Sequence, residues 1–375
     1  MSEPAIKNGS QHPELPKRHF RVFDTLRFFA FLKVFLQHLP IFAFAWFGYL
    51  KAGGVIGVHF FFVLSGFLIT YIICVEKKAT GTYSLKNFFA RRVLRIWPLF
   101  YLILAISYAI PVLLHALHLP KTDVGYTPTW WASVLFLENY KMIFTHSLPN
   151  VPELAVTWSL CIEEHFYIVW GLLLWVLPLK AIPKIIAVCI VLALASRLVF
   201  YHYDLDPTDL FTNIDLFAFG AIPAYLLVFH EQQTEAFINR LPRGVTVLYV
   251  IFVVLFVLVT AQIKDIVACN IWLRTLSGAV FSGLVFLSMS NRTFKRPPSL
   301  LNKAGIYTYG LYMYHVLVIV ILARVFTYLH MSLDDALPAI LFTLVALAAT
   351  ILCSVISYKY FEQPFLRLKR FFRGS

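Results

Sequence analysis

Arg27 and His38 stand eleven residues apart in one apolar stretch that runs from Phe23 to about Trp46. On a helix, 11 steps of about 100° close roughly three turns, so both side chains leave the same face, ~16 Å apart along the axis. Ionisable groups are costly inside a membrane helix and mark function or pairing. This pair offers a fixed cation near one surface and a titratable base deeper in. Other groups of the same kind recur later in the chain. Glu163 lies about six residues into a span that starts near Thr157, and His59 about six residues into the second span. Counted from the span ends, His38, His59 and Glu163 share a depth in the outer half, with Asp215 nearer the outer rim. Arg91, Arg92 and Arg95 lie at the inner rim, Arg27 slightly deeper, and His315 between the two levels. Arg92 and Arg95 are spaced i, i+3 and share a face, where two guanidinium forks can grip a phosphate. His38 beside Glu163 makes a base with a carboxylate to orient it or stabilise its cation.

The elements that must hold these groups are membrane helices. The chain has 375 residues, of which 60% are hydrophobic and only 14% charged, with 36 phenylalanines. A soluble domain carries about a quarter charged residues. The composition therefore points to an all-α polytopic membrane protein. The net charge of +13 suggests nucleic acid in a soluble protein; here the positive-inside rule accounts for it, and no nucleic-acid partner is expected.

Runs of roughly 18 or more apolar residues place about ten spans at 23–46, 53–75, 96–116, 157–178, 184–202, 212–229, 244–263, 270–290, 306–327 and 337–360. Thr129–Phe144 is a further candidate with Trp130-Trp131 at its start and Glu138, Asn139 and Lys141 within it. With both termini cytoplasmic and this segment not crossing, 23 Lys/Arg fall inside, four outside and five within spans. If the segment crossed, the bias would collapse, so it reads as re-entrant or interfacial. Residues 1–22 then form a cytoplasmic tail, 23–362 the transmembrane domain and 363–375 a basic cytoplasmic tail. The sequons at Asn8 and Asn291 fall on the inside. Cys74, Cys161, Cys189, Cys269 and Cys353 lie in or beside apolar segments without a CxxC pair and read as buried thiols. No cleavable signal peptide, P-loop, zinc signature or dinucleotide fingerprint is present, so no metal is expected.

Each motif also has a plainer reading. The arginine cluster alone is explained as simply by topology or by lipid phosphates. A lone histidine in a span is more often an interhelical hydrogen bonder, and Gly53-Gly54 and Ser65-Gly66 more often permit close helix packing. Midplane charges also suit a transporter or flippase of a lipid-linked glycan, which moves its substrate unchanged.

Taken in order, the motifs resemble the membrane acyltransferase 3 family over nearly the whole chain. Arg27 to His38 resembles its R-x10-H motif. The stretch from Gly57 to Thr70 resembles GVDLFFVLSGFLIT, Arg91–Pro98 resembles RRxxRIxP, and Trp158–Tyr167 resembles WSLSVEEQFY. Tyr309–His315 resembles SYSLYLWH, and Phe361-Glu-Gln-Pro364 the closing ERP. The resemblance implies acyl transfer from cytoplasmic acetyl-CoA across a bacterial inner membrane. The implied acceptor is a hydroxyl of an extracytoplasmic carbohydrate such as lipopolysaccharide, peptidoglycan, capsule or exopolysaccharide, free or lipid-linked. On that footing His38 is base or acyl carrier and Glu163 its orienting partner. Arg27, Arg91, Arg92 and Arg95 hold the CoA phosphates, and Asp215, His59, Glu164 and His315 contact the acceptor. The sequence departs from the family at His59, where Asp is common, at His165, where Gln is common, and at Asn213-Ile-Asp215, which lacks the usual Arg. The sequence stops soon after its last span, so an appended extracytoplasmic esterase-like domain of the kind some members carry is not expected. Oligomeric state is left open.

Overall fold

A proline ends the first helix well before the expected Trp46. Helix α1 runs Arg21–His38, and Leu39, which precedes Pro40, is extended at ψ 129°. The ring of a proline pushes the preceding residue out of the helical region. The computed structural model describes residues 18, 20–118, 124–263, 267–289 and 299–372. Most of the expected N-terminal tail, both sequons, residues 373–375 and the Cys269 side chain lie outside the described residues.

After α1 come α2 (Ala45–Lys51), α3 (Val55–Thr80), α4 (Leu85–Ala116), α5 (Trp130–Val134), α6 (Glu138–Thr145), α7 (Pro152–Ala155) and α8 (Trp158–Val176). The second half holds α9 (Ile182–His202), α10 (Ile214–Phe229), α11 (Glu231–Arg240), α12 (Arg243–Ile263), α13 (Val267–Ser288), α14 (Ser299–Ile306), α15 (Thr308–Tyr328), α16 (Ala336–Ser357) and α17 (Gln363–Leu368). A π-helical turn, Tyr358–Glu362, joins α16 to α17. No strand occurs among the described residues.

This is a multi-pass membrane protein. Eight helical stretches of the described residues are long and apolar enough to cross a bilayer, or nine if α10 and α11, bent by 107°, form one broken span. Helix α1 has 18 residues, ~27 Å at 1.5 Å rise, and is set apart by its charges. These are satisfied locally: Arg27 pairs with Asp24 at 2.6 Å, and the Lys33 ammonium donates to the carbonyls of Leu50 and Ala52 at 2.6 and 2.7 Å. The expected span at 96–116 begins eleven residues earlier, at Leu85, because Ser84 caps it by accepting from the Asn87 N–H. Arg91, Arg92 and Arg95 therefore project from a helix and not from a loop. Thr129–Phe144 is broken into α5 and α6, five and eight residues long. Each is too short to span ~30 Å of hydrocarbon. The break is at Phe136, whose φ is 58°, and buried Glu138 ties the pieces by accepting from Ser133 and Tyr126. Burial, and then this carboxylate, holds the Tyr126 phenol above its ordinary value. Residues 363–372, expected as a tail, are helical and pack on α4.

The core is the α3–α10 pair. Phe62 and Phe166 stack on Phe217 with centroids 4.7 and 4.0 Å away. The backbones approach so closely that a Cβ on Gly66 would meet the Phe217 carbonyl at 2.0 Å, and one on Gly220 the Val63 carbonyl at 1.9 Å. Small residues permit this approach in lipid, where packing drives association. Gly220→Val is expected to split the pair and cost ~3 kcal/mol or more, since backbone has to move. Thermal unfolding of the detergent-solubilised protein would show it; an unchanged midpoint would contradict the packing described.

Candidate functional site

One cavity of about 450 Å³ opens between α1, α3, α4, α8, α15 and the α16–α17 junction. Its lining residues on α3 extend from Val58 to Ile72, ~21 Å at the helical rise. Arg27, Arg92 and Arg95 line one end, Ser159 and Tyr312 the other, with Glu163 between. Among the described residues neither Arg92 nor Arg95 forms an ion pair. The buried Arg92 Nε has no hydrogen-bond partner. Such donors in a low-dielectric wall are costly to leave unmet and mark a place for an anion.

Beyond Tyr312 lies a histidine pair. Tyr312 and His315 are in ring contact at 5.5 Å, and His315 meets the His38 ring edge-on at 4.9 Å. The His315 Nδ1 lies 2.5 Å from the Tyr312 carbonyl and the His38 Nδ1 2.9 Å from the Val34 carbonyl. A carbonyl only accepts, so both Nδ1 atoms carry hydrogen, an assignment made from the hydrogen-bond network. The Nε2 of neutral His315 then has its lone pair facing the His38 Nδ1–H, 3.3 Å away. What remains is the Nε2 lone pair of His38, with no protein partner among the described residues. The helix supplies the Val34 bond for free, since Val34 is the i−4 residue of His38 on α1. His315 is fully buried, whereas His38 is half-buried at the α1 terminus. A base held in one tautomer by a buried partner is what proton abstraction requires.

Glu163 is placed differently from expectation. It accepts from the Tyr167 hydroxyl at 2.5 Å, takes a bond from Ser65, and feels the charges of Arg92 and Arg95. It thus belongs to the arginine part of the cavity, and the ionisable side chain in contact with His38 is His315 instead. Distance from the span ends sets the two at one level but does not say which faces meet. Arg91 also departs from the expected set: it pairs with Glu76 at 3.3 Å and donates to the Phe372 carbonyl at 2.7 Å. It braces the fold beside the cavity rather than lining it.

The expected acceptor contacts are scattered. Asp215 is fully buried and paired with Arg197, with Thr275 donating to its second oxygen at 2.7 Å. The cation that its own motif lacks comes from α9. Arg274 donates to Asn213 and to the Pro207 carbonyl at 2.7 and 2.6 Å. His59 faces this cluster, with Arg274 and Arg197 as its charged neighbours and neither ring nitrogen bonded. Glu164 accepts from the Trp97 indole at 3.2 Å. None of these three lines the cavity. His315 does not line it either, nor does His38; His315 touches the lining residue Tyr312 and is the partner of His38.

Several residues around the site stand outside the expected set, Tyr309 and Tyr312 beside the expected His315 among them. Tyr309, Tyr312 and His315 recur every three residues on α15, a stripe that signals one face. Asp24 is the i−3 partner of Arg27, and Tyr167 the i+4 partner of Glu163. Arg197 and Arg274 are visible as charges within spans, but nothing in the sequence says that they converge on one loop.

The chain is similar to known proteins over nearly its whole length. A family model described as an acyltransferase domain matches residues 20–359. The chain is 26% identical over 364 residues to peptidoglycan O-acetyltransferase OatA of Listeria monocytogenes, covering 91% of this chain and 55% of that protein. It is 28% identical over 389 residues to the putative peptidoglycan O-acetyltransferase YrhL of Bacillus subtilis, covering 94% of this chain and 56% of the other. A putative O-acetyltransferase of Staphylococcus aureus is 24% identical over 376 residues, 93% of this chain and 57% of that one. The chain thus spans little more than half the length of these relatives. No solved structure matches it.

Proposed function

The chain belongs to the acyltransferase 3 family, and from that membership and the site we propose that it is a membrane-bound O-acyltransferase. It takes an acyl group, acetyl first, from cytoplasmic acyl-CoA and passes it to a hydroxyl of an extracytoplasmic carbohydrate. The membrane is then the bacterial inner membrane, and the arginine end of the cavity faces the cytoplasm. Peptidoglycan stands first among the acceptors because two of the relatives bear its name; lipopolysaccharide, capsule and exopolysaccharide offer the same chemistry.

The observation that carries this reading is the continuity of one cavity from unpaired guanidiniums to the ring that contacts the histidine pair. The residues fit an acyl-CoA. Arg92, with its unpartnered Nε, and Arg95 present the donor set of a phosphate site. Bound there, acyl-CoA supplies an activated thioester carbonyl. His38 takes the acceptor hydroxyl proton on Nε2 as the oxygen attacks that carbonyl, then returns it to the departing sulfur. While His38 carries both protons, its Nδ1–H, shared between the Val34 carbonyl and His315, becomes a charge-assisted donor, which lowers the cost of the imidazolium in the membrane. Glu163, held by Tyr167, offsets the guanidinium charge along the cavity. The rest of the rate comes from holding donor and hydroxyl together away from water.

His315→Leu removes the second acceptor of the His38 Nδ1–H and leaves it the Val34 carbonyl alone. The turnover number is expected to fall by roughly 10- to 100-fold, as for other orienting partners, with KM for acetyl-CoA unchanged. His315→Gln, which keeps an acceptor oxygen, should recover most of the rate. Equal loss in both variants would argue that His315 only fills space.

The function is tested in the source cells with the gene deleted and then restored as wild type or His38→Ala. Alkali-labile O-acetyl on the isolated peptidoglycan and surface polysaccharides is quantified by NMR. Loss on deletion, with recovery only by wild type, is expected. Unchanged acetylation of every envelope glycan would contradict the proposal.

A further inference from the structure

The segment that follows the last long helix closes the arginine end of the cavity. Glu362, in the π-helical turn, and Leu366, on α17, line it directly. The 3-10 turn Lys369–Phe372 packs on α4, pinned where Arg91 donates to the Phe372 carbonyl at 2.7 Å. This brings Lys369, half-buried, into the field of Arg95, Arg92 and Arg91. Arg91 has Glu76 as counter-ion. Arg92, Arg95 and Lys369 form no ion pair among the described residues, and the carboxylates that line the cavity beside them are engaged elsewhere, Glu163 with Tyr167 at 2.5 Å and Glu362 with Ser357 at 3.2 Å.

Three like charges gathered in a partly desolvated mouth repel each other and destabilise the fold that gathers them. A segment free to lie elsewhere would carry its lysine to water. Here the Arg91 tether holds it against the guanidiniums, an arrangement that becomes favourable once an anion sits between them. The anion must reach the mouth from the water side and offer several oxygens, and its tail must be thin enough for a cavity of about 450 Å³.

We propose that Lys369 is a phosphate ligand of the donor site, so that the 363–372 segment completes the mouth to which the acyl-CoA phosphates bind. The assignment rests on the function proposed above. Lys369 works beside Arg92 and Arg95 as a third, flexible cation that follows a phosphate which two fixed forks cannot fully enclose. An anionic lipid headgroup carries the same phosphate chemistry, and the test separates the two sources.

The full chain is reconstituted in phosphatidylcholine nanodiscs, and thermal unfolding and CoA binding are measured for wild type, Lys369→Ala and Lys369→Arg. Wild type should be stabilised by CoA. Lys369→Ala should bind CoA about tenfold more weakly, the weight of one charge-assisted contact at a partly exposed site, and Lys369→Arg within about threefold of wild type. Without ligand, Lys369→Ala should unfold no earlier than wild type, since a repulsion has been removed; a purely structural lysine would lower the midpoint. Equal CoA affinity in wild type and Lys369→Ala would overturn the assignment of Lys369 while leaving the donor reading intact. No CoA binding by wild type would overturn both. Lysine-dependent stabilisation by phosphatidylglycerol but not by CoA would assign the site to lipid and overturn the proposal.

Discussion

His38→Ala is expected to abolish acyl transfer, lowering turnover by ~10²- to 10⁴-fold, the range for a lost general base. The chemistry explains the size of the effect. Among the described residues, His38 Nε2 is the one nitrogen of the pair left without a protein partner, because both Nδ1 atoms face carbonyls and the His315 Nε2 faces His38. No neighbour can take over. His315 is fully buried with its Nε2 turned to His38, and the imidazole on α3, His59, faces Arg197 and Arg274. The fold should survive. His38 is half-buried at a helix end that Leu39 and Pro40 terminate by themselves, and its loss leaves one neutral, still hydrogen-bonded histidine. Acetyl-CoA consumption by reconstituted protein, read as thiol released in the presence of acceptor, measures the rate. Thermal unfolding of the same preparation checks the fold. Wild-type turnover in a folded His38→Ala protein would remove this residue from the reaction.

Asp215→Ala should fail before any chemistry is reached. Asp215 is fully buried, and its two oxygens are taken by Arg197, Thr275 and its own helix at the Leu216 N–H. Arg197 has a further tie to the Thr212 carbonyl at 2.7 Å and to Ile271 at 3.0 Å. Deleting the carboxylate strands a guanidinium that is only 3% exposed. Breaking such a pair from one side costs ~3–5 kcal/mol, whereas replacing both partners by apolar groups costs far less. Asp215→Ala is therefore expected to aggregate or to lose most folded yield on size exclusion, and Asp215→Leu with Arg197→Met to recover a large part. A single variant that stays folded and stable yet is inactive would return Asp215 to the role of acceptor contact.

The histidine and aspartate sites differ in how far the sequence discloses them. Arg27 and His38 are local: one helix sets their spacing and shared face, so their relation is legible from residue spacing alone. Arg92 and Arg95 are legible for the same reason. The multi-pass helical class follows from apolar runs, which report on lipid rather than on partners. What depends on a second helix is not legible. Distance from the span ends sets Glu163 level with His38, but α8 turns Glu163 toward Tyr167 and the arginines. The aspartate in Asn213-Ile-Asp215 lacks a cation in its own motif because that cation lies in another helix, at Arg197. For His315 the sequence gives a depth but not a neighbour, and the neighbour, His38, is what makes it an orienting group rather than an acceptor contact. Pro40 is a different case. Its effect on Leu39 is local and readable, yet the apolar run on either side of it masks the end of the helix.

Sidedness is the core of the account, and proteoliposomes test it most directly. The protein is reconstituted and its orientation established by protease access to a terminal tag. Radiolabelled acetyl-CoA is then supplied only on the side of the arginine mouth, and a soluble peptidoglycan fragment only on the other. Labelled ester on the fragment and thiol released on the donor side are expected, and neither product with His38→Ala. Ester formed only when donor and acceptor share one compartment would contradict transfer through the membrane.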